Sequence, residues 1–140
     1  MMSDAEEQSE VDVELRIQDI SSTDFVSAFL ALRDIPVSYT RMLIAHQGSP
    51  NGDITATDMA QAAGYKKFSA ANLHYGKLGK LLASILGVDI TEEYGVSMLA
   101  TFEYDGQEWH WIMRPQVIQA LNQIRWVLPS KATHMHAVRQ

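Results

Sequence analysis

The stretch that decides the fold is residues 56–75, ATDMAQAAGYKKFSAANLHY. Apolar and small residues recur at helical spacing on both sides of Gly64. Ala60 is small enough to let a second helix approach, and at Gly64 the chain is expected to reverse where a Cβ would clash. The apolar residues expected in the shared interface are Met59, Ala63, Tyr65, Ala70 and Leu73. The window therefore predicts two helices packed across a tight turn.

In its spacing, this window resembles the helix-turn-helix of DNA-binding domains. A helical hairpin inside an ordinary small core has the same pattern and remains the alternative. The resemblance implies that the second helix is a recognition helix and that the partner is double-stranded DNA. The residues expected to contact DNA are Lys66, Lys67, Ser69, Asn72, Lys77 and Lys80.

The expected contacts have a chemical basis. Lys66 and Lys67 precede the second helix, where they and its free N–H groups can bind a phosphate. The amide of Asn72 can bond an adenine edge in two places, and a lysine can contact phosphate or guanine. A solvated polar face has the same composition and is the alternative interpretation of these residues.

The charge distribution bears on the choice of partner. The 140-residue chain has 11 basic and 17 acidic residues and a formal net charge of −6. Residues 1–14 hold six acidic residues and no basic one, which leaves the rest of the chain neutral. No acidic residue lies between Asp58 and Asp89, whereas four lysines do. This basic segment coincides with the second helix and favours nucleic-acid binding.

The two central helices are predicted at 57–63 and 68–86, with Thr57 capping the first and Gly87 ending the second. A helical wheel of the second places one set of residues on a broad apolar arc: Ala70, Ala71, Leu78, Leu81, Leu82 and Ile85. The same wheel puts Leu73 near the opposite, polar arc, in conflict with its expected burial.

Gly76 and Gly79 are unusual inside a helix and form a strip of small residues with Asn72 and Ala83. Such a strip lets another backbone approach closely. That backbone is DNA, a second helix of this chain or a partner subunit, and internal packing is the commonest case.

The flanking segments carry weaker patterns. Residues 10–18 alternate strictly between apolar and polar, which is typical of a half-buried strand. Helices are predicted at about 23–33 and 36–46, and a last one begins at Pro115.

Asp105-Gly106, between two alternating apolar runs, predicts a β-hairpin. A two-residue turn would pair three residues of each strand: Phe102 with Trp109, Ala100 with Trp111, and Met98 with Met113. All six share one face, which predicts that both tryptophans are buried in the core. A base-stacking surface formed by these aromatic residues is the alternative.

This order of elements is similar to that of a winged-helix domain, with the hairpin as the wing. The expected fold is α+β, mainly α, with four to five helices and a hairpin, either alone or extended to three strands by residues 10–18. An acidic disordered tail is expected at 1–9, one winged-helix-like domain at 10–128 and a loose tail at 129–140.

Other functional classes have little support in the sequence. Without cysteine there is neither a disulfide framework nor a thiolate metal site. The acidic N-terminus is unlike a signal peptide, and no apolar run has membrane-spanning length. His74 is expected to be a hydrogen-bonded core residue, and His46 and His110 are isolated in the sequence. We expect a cytoplasmic protein with no enzymatic activity, cofactor, metal or membrane partner.

A narrower resemblance rests on residues 71–79, ANLHYGKLG, and on the Trp-x-Met-Arg-Pro junction at 111–115. Over residues 36–127 the chain is similar to a small domain that precedes HNH endonuclease modules in bacterial and phage restriction-type proteins. That resemblance implies a DNA-associated accessory or targeting role. No HNH nuclease follows in this sequence, so cleavage is not implied.

The leading interpretation is a stand-alone, non-enzymatic DNA-binding protein of regulatory or accessory function, of bacterial or phage origin. The acidic N-terminus is expected to weaken DNA binding by competing for the lysines. The alternative is a protein-interaction module or inhibitor that binds a nucleic-acid enzyme. One exposed patch of the four lysines would favour DNA, whereas dispersed lysines, or lysines covered by residues 1–18, would favour a protein partner.

Overall fold

Helices account for most of the chain, and a small antiparallel sheet completes it. A computed structural model describes residues 4–124, with side chains from residue 10 onward. The helices are α1 (Asp4–Gln18), α2 (Ser22–Ala31), α3 (Val37–Gly48), α4 (Ala56–Ala63), α5 (Phe68–Leu86) and α6 (Pro115–Ile124). The strands are β1 (Asp53–Thr55), β2 (Ala100–Tyr104) and β3 (Trp109–Met113). The α+β, mainly α class is therefore confirmed, with six α-helices in residues 4–124 rather than four to five.

The central pair α4 and α5 forms where the sequence predicts it. Gly64 ends α4 in the left-handed region at φ 85°, and Gly87 ends α5 in the same way at φ 74°. A Cβ at Gly64 would meet no atom within 4 Å, so its backbone conformation and not a clash requires glycine. The N-cap of α4 is Thr55, not Thr57, since its hydroxyl accepts from the Asp58 N–H at 3.1 Å.

The buried face of α5 is rotated from the predicted one. Leu73 is exposed, so the helical wheel was right and the expected burial of Leu73 in the interface was wrong. Leu81 and Ile85, expected on the apolar arc, are exposed as well. The rotation follows from Gly76 and Gly79, whose bare backbone brings another segment against a face with few large apolar side chains.

That segment is the 3₁₀ turn Glu92–Met98, which crosses α5 at backbone contact. A Cβ at Gly79 would lie 1.8 Å from the Gly95 carbonyl oxygen, and one at Gly95 would lie 1.9 Å from the Gly76 carbonyl oxygen. The small-residue strip therefore serves internal packing, and neither Gly76 nor Gly79 is available to DNA or to a partner subunit.

The N-terminal segment is a helix and not a strand, and it begins at Asp4, inside the expected tail. Its strand-like alternation does not correspond to a buried face, because Ile17 is fully buried whereas Val11 and Leu15 are exposed. Long-range contacts hold α1 in place. Arg114 donates to the Glu14 carboxylate at 2.6 Å, and Arg16 donates to the Gly87 carbonyl at 2.9 Å.

The sheet has the order β1-β3-β2 and is antiparallel throughout. Its third strand is β1 and not the N-terminal segment. In the hairpin, Ala100 pairs with Met113 and Tyr104 with Trp109, so residues 105–108 form a four-residue turn instead of the predicted two-residue turn. Asp105 causes the longer turn because its carboxylate accepts from the Gln107 and Glu108 N–H groups.

Helices α2, α3 and α6 complete the core. The Ser21 hydroxyl caps α2, and Phe25 and Phe29 are fully buried on it. Helix α6 begins at Pro115, as predicted, and buries Val117 and Leu121. Within residues 4–124, no helix is both long and apolar enough to cross a membrane. The predictions for residues 125–140 lie outside the described residues.

Candidate functional site

A concave surface lies between the α4–α5 pair and the hairpin. It has a volume of about 690 Å³ and is open to solvent on one side. Five aromatic side chains line it, and we call it the aromatic groove: Phe68, Phe102, Tyr104, Trp109 and Trp111. Phe68 comes from the first turn of α5, and the other four come from β2 and β3.

The aromatic residues of the hairpin change from buried to exposed along one face. Trp111 is 3% exposed, Phe102 41% and Trp109 54%. The predicted burial of Trp111 is confirmed and that of Trp109 is wrong. The face is the predicted one, but the hairpin extends beyond the core, so the residues near its turn meet solvent instead of the protein interior.

The floor of the groove is buried and hydrogen-bonded. The Trp111 indole stacks on the buried ring of Tyr75, with centroids 5.7 Å apart and 8° between the planes. The Tyr75 hydroxyl lies 2.8 Å from His46 Nδ1, and His46 Nε2 lies 2.8 Å from the Trp111 carbonyl. Because a carbonyl only accepts, Nε2 carries the hydrogen and Nδ1 accepts from Tyr75. His46 is therefore not isolated, as the sequence indicated, but links α3, α5 and β3.

His46 is neutral at physiological pH. Burial lowers its pKa from 6.5 to about 4, although the hydrogen bond to the Trp111 carbonyl opposes this effect. A neutral imidazole can donate at one nitrogen and accept at the other, as its two partners require.

Polar side chains line the helix side of the groove. Ser69 and Asn72 lie exposed in the first turns of α5, and Thr57 lies at the start of α4. On the hairpin side, Gln107 adds a second amide. The structure thus brings two of the predicted DNA-contacting residues, Ser69 and Asn72, beside the aromatic rings.

The four lysines do not form one patch. Lys66 and Lys67 are exposed beside Phe68 and Ser69, and we call them the lysine pair. Lys77 is half-buried. Lys80 is also half-buried and donates a hydrogen bond to the Ile90 carbonyl. Because an α-helix rises about 1.5 Å per residue, Lys80 lies about 20 Å along the helix axis from Lys67. The lysine pair alone therefore borders the groove.

The hairpin end of the groove is acidic. Glu108 lines the groove and is half-buried. The groove consequently has a positive helix end and a negative hairpin end.

His110 binds the hairpin turn to the neighbouring strand. Its Nδ1 lies 2.7 Å from an Asp53 carboxylate oxygen, and its Nε2 lies 2.8 Å from an Asp105 carboxylate oxygen. The hydrogen bonds to Asp105 and then to Asp53 raise the pKa of His110 to about 9. The hydrogen bond from the Glu108 N–H is the main cause that lowers the pKa of Asp105 to about 2, and the hydrogen bond from His110 is the next largest. Sequence spacing gave no sign of this cluster because Asp53 is 57 residues away from His110.

The described contacts of α1 lie away from the lysine pair. Glu14 pairs with Arg114, Arg16 bonds the Gly87 carbonyl at the C-terminal end of α5, and Glu10 accepts from the Tyr94 hydroxyl at 2.7 Å. The lysine pair is at the opposite end of α5 and is exposed. The described part of α1 therefore leaves the lysine pair uncovered.

His74 departs from the expected hydrogen-bonded core residue. It is half-buried and stacks on Tyr65, with centroids 5.1 Å apart and 15° between the ring planes. Among the described residues, its buried Nδ1 has no hydrogen-bond partner. Its contacts are thus mainly with aromatic rings.

Comparisons with family models, with curated proteins and with solved structures give no match. Among the side chains of residues 10–124, no group of three or more His, Asp or Glu is placed to hold a metal ion.

Proposed function

We propose that this protein is a cytoplasmic nucleic-acid-binding protein of regulatory or accessory function, without enzymatic activity, and that it uses α4–α5 as a helix-turn-helix. The observation that carries the proposal is the exposure of the lysine pair, Ser69 and Asn72 together at the N-terminal end of α5. In this arrangement the second helix presents its first turns to DNA and the hairpin acts as a wing.

The exposed residues divide by role. The lysine pair precedes α5, where unpaired backbone N–H groups also point outward, so it contacts phosphates. Asn72 lies one turn further along, where its amide contacts a base edge. Lys80, bonded to Ile90, takes no part, and Lys77 contributes at most long-range attraction.

A salt titration with a DNA duplex tests this proposal. The double change Lys66→Gln, Lys67→Gln should weaken binding to all sequences alike and flatten the dependence of log K on log salt by about 0.9 for each phosphate that the variant no longer neutralises. Arg41→Gln is the matched control, because Arg41 is exposed on α3 outside the groove. If wild-type protein binds no nucleic acid even at low salt, the proposal is wrong.

The second candidate is a protein-interaction module or inhibitor of a nucleic-acid enzyme. It is favoured by the dispersal of the four lysines, of which only Lys66 and Lys67 are exposed, and by the acidic hairpin end. The exposed aromatic rings favour it as well, since Tyr and Trp are enriched at protein interfaces. A protein partner in the groove predicts binding that survives Lys66→Gln, Lys67→Gln and is abolished in Trp109→Ala.

A further inference from the structure

Three rings of the aromatic groove lie mostly outside the protein core. Phe68, Tyr104 and Trp109 are each more than half exposed, at 61%, 56% and 54%. Large aromatic side chains gathered around one concavity are typical of a ligand site, and the volume of about 690 Å³ lies within the range for such sites, about 300–1,000 Å³.

We propose that the aromatic groove binds unpaired nucleotides of a single-stranded nucleic acid, with bases stacked on Trp109 and Tyr104. This inference rests on the proposed nucleic-acid-binding function and adds a single-stranded ligand to the duplex that the helix-turn-helix would contact. The centroids of the two rings lie 5.3 Å apart and the ring planes make an angle of 50°, so the rings present differently oriented faces to the groove. Stacking on such faces is available to every base and contributes about 1–3 kcal/mol per base.

The groove also has groups that recognise base edges. Asn72 and Gln107 lie on opposite sides of it, and each amide has both donors and an acceptor. The hydroxyls of Ser69 and Thr57 line the helix side. An unstacked base lying on these rings would present its Watson–Crick edge to such groups, which is how single strands are read.

The charges at the two ends orient the strand. The lysine pair borders the groove beside Phe68 and attracts phosphates, whereas Glu108 repels them at the hairpin end. The sugar–phosphate backbone is therefore expected along the N-terminus of α5, with the bases directed towards Trp109.

A duplex cannot use these rings in the same way. In a duplex the base faces are stacked on one another, and only the base edges are open in the grooves. The stacking energy of Trp109 and Tyr104 is available only to bases that have left the stack. The groove therefore predicts a preference for single strands.

The test uses the full chain and fluorescently labelled 12-nucleotide homopolymers of DNA and of RNA, each also annealed to its complement. We expect tighter binding of the single strand than of the duplex, measured by anisotropy. Trp109→Ala should weaken single-strand binding by roughly 5- to 150-fold, the equivalent of one stacked base. Glu108→Gln should strengthen it, and a ribose or deoxyribose preference identifies the natural strand.

Ile85→Ala is the control for Trp109→Ala, because Ile85 is 45% exposed on α5 but does not line the groove. Circular dichroism of each variant reports that the fold is retained. Duplex binding that exceeds single-strand binding, or single-strand binding that is unchanged in Trp109→Ala, would overturn this inference and leave the proposed function standing. Binding of neither form would overturn both.

Discussion

The indole of Trp111 lies parallel to the ring of Tyr75, with 8° between the ring planes and 5.7 Å between centroids. Tyr75 belongs to α5 and Trp111 to β3, so the stack joins the two walls of the aromatic groove. His46 bonds both residues from α3. Because all three side chains are buried, they set the distance between the helix proposed to bind nucleic acid and the hairpin beside it.

The two tryptophans of β3 should therefore differ in their contribution to stability. Trp111→Ala removes a buried ring and its stacking partner and should lower the free energy of unfolding by about 3–5 kcal/mol. Trp109→Ala, at an exposed position, should lower it by less than about 1 kcal/mol. Urea unfolding measures both, and equal losses would contradict this description of the hairpin.

His46 makes the protein sensitive to mild acid. Its pKa is about 4 in the folded state against 6.5 unfolded, so the unfolded chain binds a proton first and stability falls as the pH drops from 6.5 to 4. The loss should reach about 3 kcal/mol. His46→Gln should be less stable at pH 7 but should lose less on acidification. A wild-type protein equally stable at pH 7 and pH 4.5 would show that His46 is not neutral in the fold.

His110 has the opposite dependence. Its pKa is about 9 in the folded state against 6.5 in the unfolded state. Its contribution to the free energy of unfolding is therefore full below pH 6.5 and is lost as the pH rises through 9. His110→Gln should therefore lose less stability than the wild type when the pH is raised from 7 to 10. The comparison is between urea midpoints of wild type and variant at pH 7 and pH 10. The same alkaline loss in both proteins would exclude the ion pairs with Asp53 and Asp105.

The crossing of α5 by Glu92–Met98 gives a sharp test of backbone packing. Gly79→Ala places a Cβ 1.8 Å from the Gly95 carbonyl oxygen, which is backbone and cannot turn aside. We expect a loss of more than about 3 kcal/mol in the free energy of unfolding. Gly48→Ala is the control, since a Cβ there meets no atom within 4 Å and should cost nothing. Similar stabilities of the two variants would contradict the close crossing.

The sequence predicted local elements well where a single residue decides them. Gly64 and Gly87 end their helices because the chain there adopts positive φ. The alternation of the hairpin identified the face of Trp109 and Trp111 correctly, and the longer turn at Asp105 shifts the pairing without reversing that face. Alternation gives the face but not the extent of the core, so the exposure of Trp109 could not be predicted.

Other features depend on residues far apart in the sequence. The alternation of residues 10–18 favours a strand, but the segment is helical, and contacts such as Glu14 with Arg114, 100 residues apart, accompany the helix. Likewise, His46 meets Tyr75 and Trp111 only in the folded chain. No local pattern encodes these contacts, which is why the sequence indicated the exposed Ser69 and Asn72 on α5 but not the buried floor of the groove.

The most direct test of nucleic-acid binding at the groove is to map backbone amide chemical shifts by NMR while an oligonucleotide is added. We expect perturbations at Lys66, Lys67, Ser69 and Asn72 and at the Trp109 indole N–H, with residues of α1 unaffected. Perturbations confined to α1 and the Glu92–Met98 segment, or none at saturating oligonucleotide and low salt, would contradict nucleic-acid binding at this surface.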